Sequence, residues 1–496
     1  MKKAKIIAGS LAMLMLLASF AACDVELNFD VEEGDEIDKI EDTDDQEMEA
    51  TETSDDETEP ETVNPNFPII PETQENDGGE ESETVNPNFP IIPETQENDG
   101  GEESETSNPN FPIIPETQEN EGNEEVDPPE TTPGEAEITN LEKWTTPFWS
   151  IDTMYQECAT FHVRQDGSIT AKLLFKPTRI ICVEDWSLKK VYVEGEDYTW
   201  DGNSNLLIWK AGSDIPYFGL NDLHGRDDAG NKVVPSFPEW DSLSRSTIGN
   251  ALYCNAAFVY ERQINVTYEY EAGSWTGHKS TYQGLKVSNT MNKIKNGEEV
   301  NLHFYGDSIF AGCDGSAYGK RDPRQPGFAT LIRNYLRETY DNQKVYVVNN
   351  SMPGMGSADG LAQVAVKVVD QRRAPDMVFL SWGMNDQCVG TETAQNIQGM
   401  IDAIRAKHPD CDIVVVAPLV PNADAGFLIH QGELPAAFRQ LANSNQRVVF
   451  VNVFDVQKKM METKDYISLS GNNINHPNDF LIRIYAQQIL NAIERF

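Results

Sequence analysis

Val300-Asn301-Leu302-His303-Phe304-Tyr305-Gly306-Asp307-Ser308-Ile309 is the stretch on which the reading of this chain turns. A short, mostly apolar run ends in a glycine, and an aspartate and a serine follow. A run of this length bounded by a turn residue predicts a buried strand rather than a helix. Gly306 allows a tight turn, which sets Ser308 at the carboxyl end of the strand.

Outward from this stretch the same unit recurs. Apolar runs at 344–349, 377–381, 412–418 and 447–454 predict further strands. Segments at 327–340, 358–370, 393–407, 434–443 and 479–496 predict helices, and in the last of them Leu481, Ile482, Tyr485, Ile489, Leu490 and Ile493 share one face. Alternating strands and helices predict a parallel sheet covered on both faces, a three-layer α/β/α domain over 296–496. In such sheets sites form beyond the carboxyl ends of the strands.

Residues 141–295 read differently. Apolar or alternating runs at 159–164, 169–175, 179–183, 190–193, 205–209, 257–260 and 264–270 are separated by turn signals such as Asp166-Gly167 and Asp201-Gly202-Asn203. Many short strands at this spacing predict an all-β sandwich of jelly-roll type. It contains Trp186, Trp200, Trp209, Trp240 and Trp275. Core packing is the expected role of most of them, and an exposed sugar platform is the alternative.

The amino-terminal 140 residues predict no fold. Lys2, Lys3 and Lys5 precede an apolar run that ends in small residues at Cys23, the pattern of a secretory signal over 1–23. Phe20-Ala21-Ala22-Cys23 resembles a bacterial lipobox, which implies lipidation of Cys23, and membrane attachment through it alone, on the outer side of the cell. Residues 24–140 repeat Asn-Pro-Asn-Phe-Pro-Ile-Ile-Pro-Glu-Thr-Gln-Glu-Asn from Asn64, Asn86 and Asn108. Each unit offers too little apolar surface to offset the entropy of ordering, so a disordered spacer is expected. Short docking motifs are a second reading of the Phe-Pro-Ile-Ile-Pro units.

The net charge of −44 belongs almost wholly to this spacer, which holds 41 acidic residues and one lysine. Such acidity excludes a nucleic-acid partner, which needs basic patches. Six cysteines besides Cys23 show no paired spacing, and several, such as Cys182, lie in apolar runs where a buried thiol is expected. The seven histidines show no ligand spacing, so neither a metal site nor a cofactor is expected. His430 lies in the loop after the fourth predicted strand, where it lines a cleft or is simply solvated.

Polar clusters follow the predicted strands. They are Gly306-Asp307-Ser308, then Asn349 to Gly356, then Gly383-Met384-Asn385-Asp386, and finally His476-Pro477-Asn478-Asp479 before the last helix. The set resembles the SGNH hydrolase family, also called GDSL esterases, over roughly 300–496. The family's four marker residues fall in order on Ser308, Gly354, Asn385 and His476. The resemblance implies a flavodoxin-like α/β/α fold and a serine esterase. Ser308 would be the nucleophile and His476 the base that takes its proton. The Ser308 and Gly354 N–H groups and the Asn385 side chain would hold the oxyanion.

In that family an aspartate three residues before the histidine orients the ring, and here Asn473 stands in its place. The chain is therefore expected to work as a Ser308–His476 dyad, with a carbonyl oxygen or another group holding the ring. Asp479 is expected to cap the last helix. The two-part layout resembles carbohydrate esterases of family 2, which implies removal of acetyl groups from a polysaccharide. Lipase-like or thioester hydrolysis, and a carbohydrate-binding surface protein with little turnover, are the alternatives.

Overall fold

The computed structural model describes residues 140–226 and 245–494. The signal segment, Cys23, the three repeats and Trp240 lie outside the described residues.

The β-rich part contains β1 (Thr153–Val163), β2 (Ile169–Lys172), β3 (Pro177–Asp185), β4 (Val191–Tyr192), β5 (Tyr198–Trp200), β6 (Leu206–Trp209), β7 (Tyr217–Phe218), β8 (Arg245–Ile248), β9 (Ala251–Cys254) and β10 (Gln263–Tyr270). Its main sheet runs β4-β3-β10-β1-β2-β6-β5, and β7 joins β1 in parallel. β1 serves two sets of partners. Thr153 to Thr160 pair with β10, and Phe161 to Val163 pair with β2 and β7. In β10 buried and half-buried residues alternate strictly, as the period of two in its sequence requires. β8 and β9 form a separate hairpin around Gly249-Asn250.

The parallel sheet contains β11 (Val300–Gly306), β12 (Val345–Asn349), β13 (Met377–Ser381), β14 (Asp412–Ala417) and β15 (Val448–Asn452), in the order β12-β11-β13-β14-β15. This is the flavodoxin-like doubly wound order, and its switch point lies between β11 and β13. Successive residues of β11 face different cores. Leu302 and Phe304 join the helices Phe328–Tyr340 and Asp479–Ile493, while Tyr305 joins the helices Ser357–Val364 and Gly390–Lys407. The opening run alternates apolar and polar residues, yet β11 is buried on both faces, with Asn301 and His303 covered as well.

Two expected strands differ. Residues 257–260 form a single helical turn, Ala257–Tyr260. A four-residue apolar run carries no periodicity that separates strand from helix. The run 447–454 stops being a strand at Asn452, whose side chain accepts from Asp455 N and caps the helix Val453–Met460.

Packing does not break at residue 296. Phe161, Val266 and Tyr268 of the β-rich part and Leu302, Phe304 and Val449 of the parallel sheet belong to one continuous core. Lys464, from the loop before the last helix, reaches β1 and pairs with Glu157, both side chains being fully buried. All described residues fall within one compact unit.

Candidate active site

The site lies at the carboxyl ends of β11, β12 and β13. Gly306 ends β11 where a β-carbon would collide with Ser381 O of β13 and press on Phe310, so only glycine lets the two strands and the following turn meet. Asp307 then caps the one-turn helix Ser308–Ala311 by accepting from Ile309 N at 2.9 Å. Ser308 is the first residue of that turn, so its N–H has no intrahelical carbonyl to bond. Asp307 is fully buried, and burial pushes its carboxyl up to about 7, against the opposing pull of the Ile309 N–H and of His476.

Ser308 Oγ lies 2.8 Å from His476 Nε2. The other ring nitrogen, Nδ1, lies 2.6 Å from Asp314 Oδ2. The three side chains thus form one continuous line, with His476 at 14% and Asp314 at 9% exposure. The expected dyad is accordingly replaced by a three-residue arrangement. Its carboxylate comes from the turn after the nucleophile and not from the loop before the histidine.

Asn473 does other work. It sits at φ +65°, and its Nδ2 donates to Leu223 O at 3.1 Å and Leu252 O at 3.0 Å, both in the β-rich part. The loop itself is wound around Asn472, whose Oδ1 accepts from the backbone of Ile474, Asn475 and His476 at 2.9–3.1 Å. Ser470 Oγ and Gly471 N close it by donating to His476 O. Asp479 is not the cap of the last helix. Asn478 is, accepting from Leu481 N, while Asp479 accepts from Ser316 N at 2.8 Å and so ties down the loop that follows Asp314.

The other two marker residues are brought alongside. Met352 N donates to Gly306 O at 2.7 Å and Gly306 N donates to Ser351 Oγ, which fastens the loop after β12 to the serine turn. Gly354 follows in that loop at φ +80°. Asn385 Nδ2 donates to Met355 O at 3.0 Å, one residue beyond Gly354. The Gly356 N–H is already bonded to Asp359, which leaves Gly354 as the better match to the family's glycine.

A second serine–carboxylate contact lies nearby. Ser357 Oγ donates to Asp386, which also accepts from Ser357 N at 3.1 Å, and Asn396 donates to Ser357 at 2.8 Å. This group has no imidazole, and Ser357 is completely buried. Its work is mechanical, since Asp386 holds the amino end of the helix Ser357–Val364 against the loop that carries Asn385. His430 pairs with Glu433 at 3.0 Å, and Glu433 accepts from Gly390 N.

A search of curated proteins finds no match. Among solved structures, a two-domain esterase active on acetylated mannans, co-crystallised with mannopentaose, aligns at 16% identity and TM-score 0.34, over 43% of this chain and 53% of that one. An acetylxylan esterase from Geobacillus stearothermophilus aligns at 18% identity and TM-score 0.31, over 39% of this chain and 94% of that one. This chain thus spans about half the length of the two-domain esterase. Residues 304–480 match the GDSL-like Lipase/Acylhydrolase family. That match runs from the strand that delivers Ser308 to the loop that delivers His476, and it makes this segment a GDSL-type, or SGNH, hydrolase domain.

Proposed function

We propose that the chain is a serine esterase that removes acetyl groups from an acetylated polysaccharide outside the cell. The observation that carries the reading is the unbroken line Asp314–His476–Ser308. A serine hydroxyl attacks an ester only when a base takes its proton. His476 Nε2 stands at that distance, and the Asp314 carboxylate holds the ring and favours the imidazolium that forms. Ser308 Oγ bonds to the ester carbonyl carbon, and the oxyanion is held by the N–H groups of Ser308 and Gly354 and by Asn385 Nδ2. Collapse expels the sugar alkoxide, which takes the proton from His476. Water, deprotonated by His476, then adds to the acyl carbon, the Ser308 alkoxide leaves and takes that proton back from His476, and the acetyl group departs as acetic acid, which ionises to acetate.

Several features support the finer parts of the reading. Ser308 is only 5% exposed, which suits a small acyl group. The β-rich part packs beside the hydrolase segment, in the layout of a polysaccharide esterase. We read it as a jelly-roll-like sandwich, on the ground that β1 changes partners along its length. The domain limits 1–23, 24–140, 141–295 and 296–496, lipidation at Cys23 and a spacer over 24–140 complete the reading of an enzyme held at the cell surface. Hydrolysis of a chromogenic acetate ester tests the activity, and wild-type turnover no higher than that of Ser308→Ala would end the esterase reading. A clear preference for octanoate over acetate would end the deacetylase reading alone.

A further inference from the structure

We infer that the β-rich part positions the acid of the hydrolytic line through Arg321, which acts as a positioning residue. The inference rests on the reading of Asp314, His476 and Ser308 given above. Asp314 is not glycine, yet its φ is +65°. A residue with a β-carbon in the left-handed region stays there only when its surroundings hold it. Gly471 leaves room for it on one side, since a β-carbon there would strike Asp314 Cβ at 2.7 Å. On the other side Arg321 Nη2 donates to Asp314 O at 2.5 Å.

Arg321 is itself held from the β-rich part. Its guanidinium lies 4.6 Å above the ring of Tyr260, and Tyr260 packs on Trp186 with ring centroids 4.8 Å apart. A planar guanidinium suits this double role, since it stacks by its face and donates from its edge. The next residue, Asp322, pairs with Lys189, a second tie from the same loop to the β-rich part. Gly319 leaves the space that the guanidinium fills, because a β-carbon there would collide with Arg321 Nη1. The histidine loop is docked on the same part, through Asn473 to Leu223 and Leu252 and through Cys254 N to Asn472 O. Acid and base thus reach each other from two loops that both dock on the β-rich part, besides their ties to Asp479 and to Asn422 after β14. The β-rich part is a component of the reaction centre besides any part it has in binding.

The test uses the full chain and a chromogenic acetate ester. Arg321→Ala is expected to lower kcat roughly 10- to 100-fold, the cost of displacing a catalytic group by about 1 Å, with KM within about twofold of wild type. Tyr260→Ala, which removes the ring beneath the guanidinium, is expected to follow Arg321→Ala. Gly319→Ala, which displaces the guanidinium without removing it, gives the same result by a milder change if Arg321→Ala fails to fold. Wild-type kcat in folded Arg321→Ala or Gly319→Ala, or a loss that falls on KM and not on kcat, would overturn the inference, provided Ser308→Ala is inactive. If Ser308→Ala is as active as wild type, the esterase reading falls, and this inference with it.

Discussion

Asp314→Asn is the substitution that probes the site most directly. The amide keeps the shape and one acceptor oxygen but removes the charge that faces His476 Nδ1. In the structure the contact is 2.6 Å, and both side chains are largely covered. With charge centres about 4 Å apart and an effective dielectric near 20, a carboxylate favours the imidazolium by about 4 kcal/mol. The imidazolium forms in the transition state and is absent from the ground state, so the loss falls on kcat. It amounts to about three powers of ten. KM is expected to change little, because Asp314 lies behind the ring and does not touch the ester. Steady-state hydrolysis of a chromogenic acetate ester between pH 6 and 9 measures both, with Ser308→Ala as the baseline. If Asp314→Asn keeps kcat within about tenfold of wild type while Ser308→Ala is dead, the charge argument is wrong, and the serine and histidine suffice as a pair.

Three further outcomes follow from the packing. Burial raises the Asp307 carboxyl from the ordinary carboxylate range to about 7. Between about pH 4 and 7 the native state therefore holds a proton that the unfolded chain has lost, and stability falls as pH rises through that window, by up to roughly 4 kcal/mol. Asp307→Asn keeps the acceptor for Ile309 N and should melt above wild type at pH 8 but beside it at pH 4; parallel melting curves across this range would contradict the argument. Lys464→Met leaves Glu157 charged and buried without its partner, at a cost of about 3–5 kcal/mol. Urea unfolding should show one shifted transition, since the core is continuous; two separate transitions would deny that continuity. Gly306→Ala forces β11 away from β13 and should lose about 3 kcal/mol in urea unfolding together with activity, as overpacking of a strand junction does.

Much of the hydrolase segment was legible from the chain alone. The strand ending at Gly306, the sheet it belongs to, and the polar clusters at strand ends follow from apolar runs and turn residues, which are local signals. Asp314 was not legible. It stands in Gly312-Cys313-Asp314-Gly315, which reads as an ordinary turn, and its partner histidine is 162 residues away. Nothing in the spacing of a sequence records which loops meet. The absence of an aspartate at 473 was visible, but not what the asparagine does instead, since its acceptors are backbone carbonyls of another part of the chain. The β8–β9 hairpin carries a local signal of its own, since Gly249-Asn250, flanked by Ser246-Thr247-Ile248 and Ala251-Leu252-Tyr253, is a two-residue turn.

The two hydrogen bonds of Asn473 also decide which substitutions this chain can still accept. An aspartate at 473 would have no N–H to give, and the oxygen in place of Nδ2 would face the carbonyl oxygens of Leu223 and Leu252, now 3.1 and 3.0 Å from Nδ2. Like partial charges at that distance repel, and both carbonyls would lose a donor. The one-residue change that would create Asp-x-x-His at 473–476 would therefore loosen the histidine loop before it could supply an acid. Which loop can carry the carboxylate in this chain is thus set by two backbone oxygens of the β-rich part.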